Sequence, residues 1–315
     1  MIQVAYKIFF KIDRQLSRTN ADLFCQFQRE ISFCEKNLYA GKKFFFAYLS
    51  MYQIEIKRWD DIMREKLIAL SIVKKGDWGE IYQFLRTDRN LDAIDEIAAS
   101  KLTQQLNCEA ITLLDEAYPN AWHDMPRPPF VVFYQGNMAL LKSKAISVIG
   151  GKKMSNHTSK VIRNVINTLP NDISVVSGFE IGVEVYSMRH AFQKIAIIAS
   201  GFDVDSRYQK DEAFRKMRED DLILSELPPH VTFDLSAYYR SYHLIHELCD
   251  SVCVFELPSF DLRLKYLAYL TDIGKNVVVT PDVFKRNTSG GLRLVNRGAK
   301  LLLRPKNVLD VFKDV

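Results

Sequence analysis

The residues best placed to do chemistry lie at 145–162, AISVIGGKKMSNHTSKVI. An apolar run, Ala145 to Ile149, breaks at Gly150-Gly151. Lys152 and Lys153 follow, then Ser155-Asn156, then apolar residues at helical spacing (Val161, Ile162, Val165, Ile166, Leu169). The pattern predicts a strand, a tight turn and a helix start. Backbone N–H groups at a helix start favour an anion, and two lysines beside them add positive charge, so the chemistry suggested is phosphate contact. An ordinary strand-to-helix loop with solvated lysines would show the same residues, and this stretch alone does not choose between the two.

Three other stretches could do related work. Ser177-Gly178 and Gly182 lie where an apolar run ends, and such residues permit close backbone approach or a plain structural turn. Glu184, near the start of the next predicted helix, suits the helix dipole better than catalysis. Arg207-Tyr208-Gln209-Lys210 interleaves basic and aromatic character, which suits a single nucleic-acid strand through phosphate pairing and base stacking; a solvated surface loop is the alternative. Residues 283–309 contain Lys285, Arg286, Arg293, Arg297, Lys300, Arg304 and Lys306 and no acid. A stripe of this kind either meets a polyanion or forms a solvated face. No Gly-x-Ser-x-Gly, P-loop or His-Glu-x-x-His motif occurs, and the six histidines are scattered, with His243 and His246 the one weak pair. The residues therefore point to no catalytic group, no metal and no cofactor.

These candidates need elements to hold them. From Phe130 onward short apolar runs alternate with helical patterns. The expected strands are Phe130–Tyr134, Ala145–Ile149, Ile173–Ser177, Ile195–Ala199, Leu222–Leu224, Val252–Glu256 and Asn276–Thr280. Runs this short and continuous suit strands covered on both faces. The fold class is α/β, a doubly wound Rossmann-like sheet preceded by a small helical module. Ligands in such sheets bind outside the carboxyl ends of the strands, which is where Gly150-Gly151-Lys152, Ser177-Gly178, Gly201-Phe202-Asp203 and Ser225-Glu226 fall. Residues 63–117 read as the helical module, with helices at Glu65–Lys74, Glu80–Leu85, Leu91–Ala99 and Lys101–Asn107. Gly76-Asp77-Trp78-Gly79 sits where a helix–turn–helix connector would, although a packing module explains it as well. Residues 1–62 read as amphipathic helices with basic faces, 118–304 as the sheet domain and 305–315 as a tail.

The motifs in their order resemble the DprA/Smf family of bacterial DNA-processing proteins. Tyr118-Pro119, Pro128-Pro129, Val132-Phe133-Tyr134 and Gly136-Asn137 look like its entry segment. Gly150-Gly151-Lys152 with Ser155 stands where the family has Gly-Ser-Arg and a serine. Ser177 to Glu184 resembles Ser-Gly-x-x-x-Gly-Ile-Asp, Gly201-Phe202-Asp203 resembles Gly-Leu-Asp, and Ser225-Glu226-Leu227-Pro228 resembles Ser-Glu-x-Pro. Gly290, Leu294-Val295 and Gly298-Ala299 resemble the final motif. Departures are as specific. The family's Arg-Asn-Arg falls on Ser241-Tyr242-His243, leaving only Arg240 basic; Ser-Gly-Ser-Leu reads Pro258-Ser259-Phe260-Asp261-Leu262; and the Ala-His after the Gly-Ile-Asp signature reads Ser187-Met188.

The resemblance implies a non-enzymatic, single-stranded DNA-binding protein that protects incoming DNA in natural transformation, helps load the RecA recombinase and acts as a homodimer. It implies DNA or phosphate contact at Gly150, Gly151, Lys152, Lys153, Ser155, Ser177, Gly178, Arg207, Lys210, Arg240, Lys285 and Arg286. Two other readings stay open: a Rossmann-like nucleotide-binding enzyme, and a degenerate paralogue that folds without binding DNA. Met63-Arg64-Glu65-Lys66-Leu67 looks like a family start, so residues 1–62 are either an upstream misassignment or an appended helical hairpin.

Length and composition agree with this outline. The chain's 315 residues suffice for one large and one small domain, and 48% hydrophobic residues supply a core. The net charge of +5 fits a polyanion partner without specifying one. The five cysteines form no CxxC pair, which suits free thiols in a reducing cytoplasm. The most apolar run, Phe44 to Tyr52, is far short of the roughly 20 residues that cross a bilayer, so no membrane partner is expected.

Overall fold

A computed structural model of the protein describes residues 60–86, 91–204, 210–281 and 290–312. Of the N-terminal segment 1–62 expected to be helical, residues 1–59 lie outside the described residues. The described residues divide into two compact units, 60–70 with 78–86 and 91–104, and 71–77 with 105–204, 210–281 and 290–312.

The described part of the first unit is helical. A helix described from residue 60 runs to 73 (α1). It is followed by Trp78–Arg86 (α2), a short 3-10 turn at Leu91–Ala93, and Glu96–Gln104 (α3). The two helices expected at 91–99 and 101–107 are one helix with a later start. The Asp95 carboxylate accepts from the Ala98 amide at 2.8 Å, which fixes the helix start at Glu96. Met63, Leu67, Ile81, Leu91 and Ala99 are buried.

The second unit is built on a nine-stranded sheet. Its strands are β1 (Glu109–Thr112), β2 (Val131–Gly136), β3 (Lys144–Gly150), β4 (Ile173–Ser177), β5 (Gln193–Ile198), β6 (Leu222–Ser225), β7 (Ser251–Phe255), β8 (Asn276–Val279) and β9 (Lys300–Leu301). They lie in the order β1-β2-β6-β5-β4-β3-β7-β8-β9. From β6 to β9 every neighbour is parallel, while β1–β2 and β2–β6 are antiparallel. The helices between the strands are α4 (Asn120–His123), α5 (Asn156–Ile166), α6 (Val183–His190), α7 (Glu212–Asp220), α8 (Leu235–Leu248), α9 (Leu264–Asp272) and α10 (Gly290–Val295). A 3-10 helix, Pro305–Phe312, occupies the expected tail and buries Val308.

Seven strands match the sequence expectation to within one or two residues at each end. β4 and β7 are buried along their whole length, which is why they read as unbroken apolar runs. The sequence reading missed β1, which lies inside the segment expected to be helical, and the two-residue β9. Trp122 shows how the antiparallel end is tied to the rest: it is fully buried and its indole N–H donates to the Leu244 carbonyl at 3.1 Å.

The strand order fixes where a ligand would sit. The chain builds outward from β3 through β4, β5 and β6, then returns to place β7 on the other side of β3. The order therefore reverses between β3 and β7. At such a switch point the two connections diverge and leave a crevice outside the strands' carboxyl ends.

Candidate nucleic-acid interface

At the carboxyl end of β3, Gly150 and Gly151 are needed for close approach. A Cβ on Gly150 would collide with the Phe255 carbonyl, and one on Gly151 would lie 2.6 Å from the Glu256 carbonyl. Gly151 donates its amide to Phe255 at 3.3 Å and its carbonyl accepts from Val183 at 3.2 Å. The β3 loop is thus held against the β7 loop on one side and the start of α6 on the other. Gly182 has φ of 101°, and a side chain there would strike the Gly151 carbonyl. These glycines are scaffold: they bring three loops together and leave little room for a ligand against their own backbone.

Below the loops lies a buried polar network. The Glu184 carboxylate is 1% exposed. Its Oε1 accepts from Arg263 at 2.6 Å and from the Tyr242 hydroxyl at 2.7 Å; its Oε2 accepts from the Gly178 amide at 3.0 Å and the Glu180 amide at 3.3 Å. The Glu184 carboxyl is pushed up to about 7, because burial outweighs the lowering by the Arg263 charge and the Tyr242 hydroxyl. Arg263 uses every donor it has. Nε and one Nη2 hydrogen go to Asp261, the other Nη2 hydrogen to the Gly150 carbonyl at 2.7 Å, and Nη1 to Glu184 and Tyr242. One guanidinium therefore joins the ends of β3 and β7, the head of α6 and the middle of α8.

The predicted site residues divide by this geometry. Gly150, Gly151, Ser177 and Gly178 are buried and belong to the scaffold; the Ser177 hydroxyl accepts from the Phe179 amide at 3.2 Å. Ser155 is the N-cap of α5, accepting from the Thr158 amide at 3.2 Å. Its own amide donates to the Glu256 carboxylate at 2.7 Å. That helix start, where an anion was expected, already faces a carboxylate of the protein itself. Lys152 and Lys153 are exposed on the loop. Lys152 stands 3.9 Å from the Glu180 carboxylate with its side chain 76% exposed, a pairing too solvated to hold it from a phosphate. Lys210 is exposed just before α7. Arg240 is turned elsewhere. It pairs with Glu226 of the Ser-Glu-Leu-Pro motif at 3.1 Å and donates to the Gly76 carbonyl at 3.2 Å. Burial raises the Glu226 carboxyl, and Arg240 opposes that rise. Gly76, read as part of a possible helix–turn–helix connector, packs here against Pro228. Arg207, Lys285 and Arg286 lie outside the described residues.

Sequence reasoning missed Arg263, Tyr242 and Asp261. Tyr242 stands where the family resemblance places the asparagine of Arg-Asn-Arg, and it is buried with its hydroxyl donating to Glu184 at 2.7 Å. Among the described residues no group of three or more His, Cys, Asp or Glu side chains is placed to hold a metal ion. None of their helices is long and apolar enough to cross a membrane.

Comparison with known proteins places this geometry. The family model for DNA recombination-mediator protein A matches residues 109–313. DNA processing protein DprA of Streptococcus pneumoniae is 29% identical over 228 residues, covering 70% of this chain and 79% of that protein. Protein Smf of Synechocystis is 25% identical over 218 residues, 65% of this chain, which spans only 54% of that protein's length. Among solved structures, DNA processing protein A from Streptococcus pneumoniae superposes with a TM-score of 0.65 at 24% identity, over 82% of this chain and 96% of that one. DNA processing protein A from Helicobacter pylori, which has a single-stranded DNA binding mode, superposes with a TM-score of 0.60 at 17% identity, over 67% of this chain and 98% of that one.

Proposed function

The chain belongs to the DNA recombination-mediator protein A family, and on that premise we propose that it binds single-stranded DNA across the crevice at the β3–β7 switch point. The observation that carries this reading is the exposed Lys152–Lys153 pair on a loop whose base is fixed by buried glycines and the Arg263 network. Lysines supply point charge to a phosphate backbone without reading bases. Arg207, Lys210, Lys285 and Arg286 extend the same positive track in our reading, since each follows a strand of the parallel sheet. By its family role the protein would act in the cytoplasm as a homodimer, shield incoming DNA during natural transformation and help load RecA onto it.

One observation favours a second reading. Within 240–243, Arg240 pairs with Glu226 and Tyr242 enters the interior, while the two arginines that the family resemblance would place at 241 and 243 are a serine and a histidine. A paralogue that folds without binding DNA would have this feature. A nucleotide-binding enzyme is disfavoured, because the helix start that would meet a phosphate is already faced by the Glu256 carboxylate from the β7 loop.

A titration of a labelled single-stranded oligonucleotide at several salt concentrations tests the proposal. Wild-type affinity should fall steeply with salt. Replacing Lys152 and Lys153 by Ala should weaken binding and flatten the slope of log affinity against log salt by about 1 to 1.5, because each phosphate contact on a single strand contributes about 0.7. No binding by the wild type would establish the paralogue reading; an unchanged slope would remove the lysine loop from the DNA track.

A further inference from the structure

The loop after β7 departs from the family pattern, and nothing in the fold accounts for the aromatic ring at its apex. Pro258-Ser259-Phe260-Asp261 form a tight turn, closed by the Asp261 amide donating to the Pro258 carbonyl at 3.1 Å. Phe260 is at its apex and is 84% exposed. It has no ring partner among the described residues. An apolar side chain left in water forgoes the stabilisation that burial would give, so its place at the mouth of the crevice calls for an occupant.

Both feet of the turn are fixed. Pro258 lies 3.5 Å from the Cβ position of Gly151, and its carbonyl lies 2.6 Å from that of Gly290. Asp261 is held in a two-point pair by Arg263, at 2.8 Å to each oxygen, which also neutralises its charge. Two residues of chain span at most about 7 Å, so Phe260 stands beside the Lys152 loop and cannot swing far from it. On the other side of that loop, Ile181 is 64% exposed, one residue from the Gly182 whose Cβ position lies 2.5 Å from the Lys152 carbonyl. The order across three adjacent strand ends is therefore apolar, cationic, apolar: Ile181 after β4, Lys152 and Lys153 after β3, Phe260 after β7.

We infer that Phe260 is a base-stacking platform of this crevice, taking the face of an unpaired nucleobase while Lys152 and Lys153 hold the neighbouring phosphates. The inference rests on the single-strand reading above and adds a contact that the phosphate track lacks. The alternation decides the occupant. A protein partner seated on Phe260 and Ile181 would bury two lysines at its centre, and interface cores are depleted in lysine. A single strand presents apolar base faces and anionic phosphates at the spacing of one nucleotide, and exposed aromatic rings beside cations are how such strands are held without sequence preference. Pre-fixing the turn lowers the ordering cost of the contact.

The experiment compares wild-type protein, Phe260→Ala and Phe260→Trp on two labelled probes: an oligothymidylate of about 20 nucleotides, longer than one such site, and an abasic deoxyribose-phosphate chain of the same length. Phe260→Ala should lose affinity for oligothymidylate by on the order of tenfold, within the range for one stacked base, with its salt slope unchanged. Phe260→Trp should retain affinity, with fluorescence quenched by the probe. On the abasic chain all three should bind alike. Thermal melts of the variants should match wild type, since the side chain is outside the core. Wild-type binding with no loss in Phe260→Ala would overturn the stacking role, as would equal losses on both probes. A Phe260→Ala protein that changes its sedimentation coefficient would overturn it in favour of contact between copies. No binding of oligothymidylate by the wild type would instead defeat the underlying single-strand reading.

Discussion

Arg263 directs all five N–H donors into the protein, and nothing about it is available to a ligand. A buried ion pair of this kind is weak evidence for stability by itself, but removing one partner is severe, because it strands the other charge. Arg263→Met should cost about 3–5 kcal/mol, read as a lowered urea midpoint. Arg263→Lys should fall nearly as far, because an ammonium has three donors and no planar fork. Adding Glu184→Gln to Arg263→Met should recover part of the loss. A wild-type midpoint for Arg263→Met would show that the network contributes nothing. At this scale the sequence was least legible. Arg263 meets Glu184 across 79 positions and Gly150 across 113, and no local pattern marks a residue whose partners are that distant. The exposed lysines were legible because two adjacent cations after a Gly-Gly break need only a loop to be exposed.

Among the elements, those that were legible are those whose environment is uniform. The interior parallel strands are covered on both faces, so composition alone marks them. β1 was not, since its four residues, Glu109–Thr112, are too few to show a period and follow directly on helical sequence. Helix α5 shows how an element can absorb a residue that looks like part of the site. Ser155 resembles a ligand contact in sequence, but its hydroxyl caps the helix and also donates to the Thr158 hydroxyl at 3.1 Å. Ser155→Ala should therefore destabilise the protein by about 1 kcal/mol in a denaturant melt and leave DNA affinity nearly unchanged. Ser155→Asp keeps a capping oxygen, so stability should hold more nearly, while a new anion beside Lys152, Lys153 and Glu256 should weaken DNA binding. If Ser155→Ala instead lost affinity at unchanged stability, the serine would be a ligand contact after all.

For the molecule as a whole, the place of the crevice was legible before the side chains that line it. Four motifs at strand carboxyl ends imply one crevice in any doubly wound sheet, and the strand order puts the reversal between β3 and β7. Which side chains are scaffold and which face outward depends on packing between loops, and only the folded arrangement sorts Gly150, Ser155 and Arg240 from Lys152 and Lys153. A floor tied by one guanidinium also has a history in time. Opening it means breaking five hydrogen bonds together, so it should not breathe separately from the sheet; the amide protons of Gly151, Gly178 and Val183 should exchange with deuterium only as fast as the second unit unfolds. Exchange of those three at rates typical of mobile loops would show the floor to be pliable. If it holds, an arriving strand meets a surface already finished, with no lag for the loops to assemble around it.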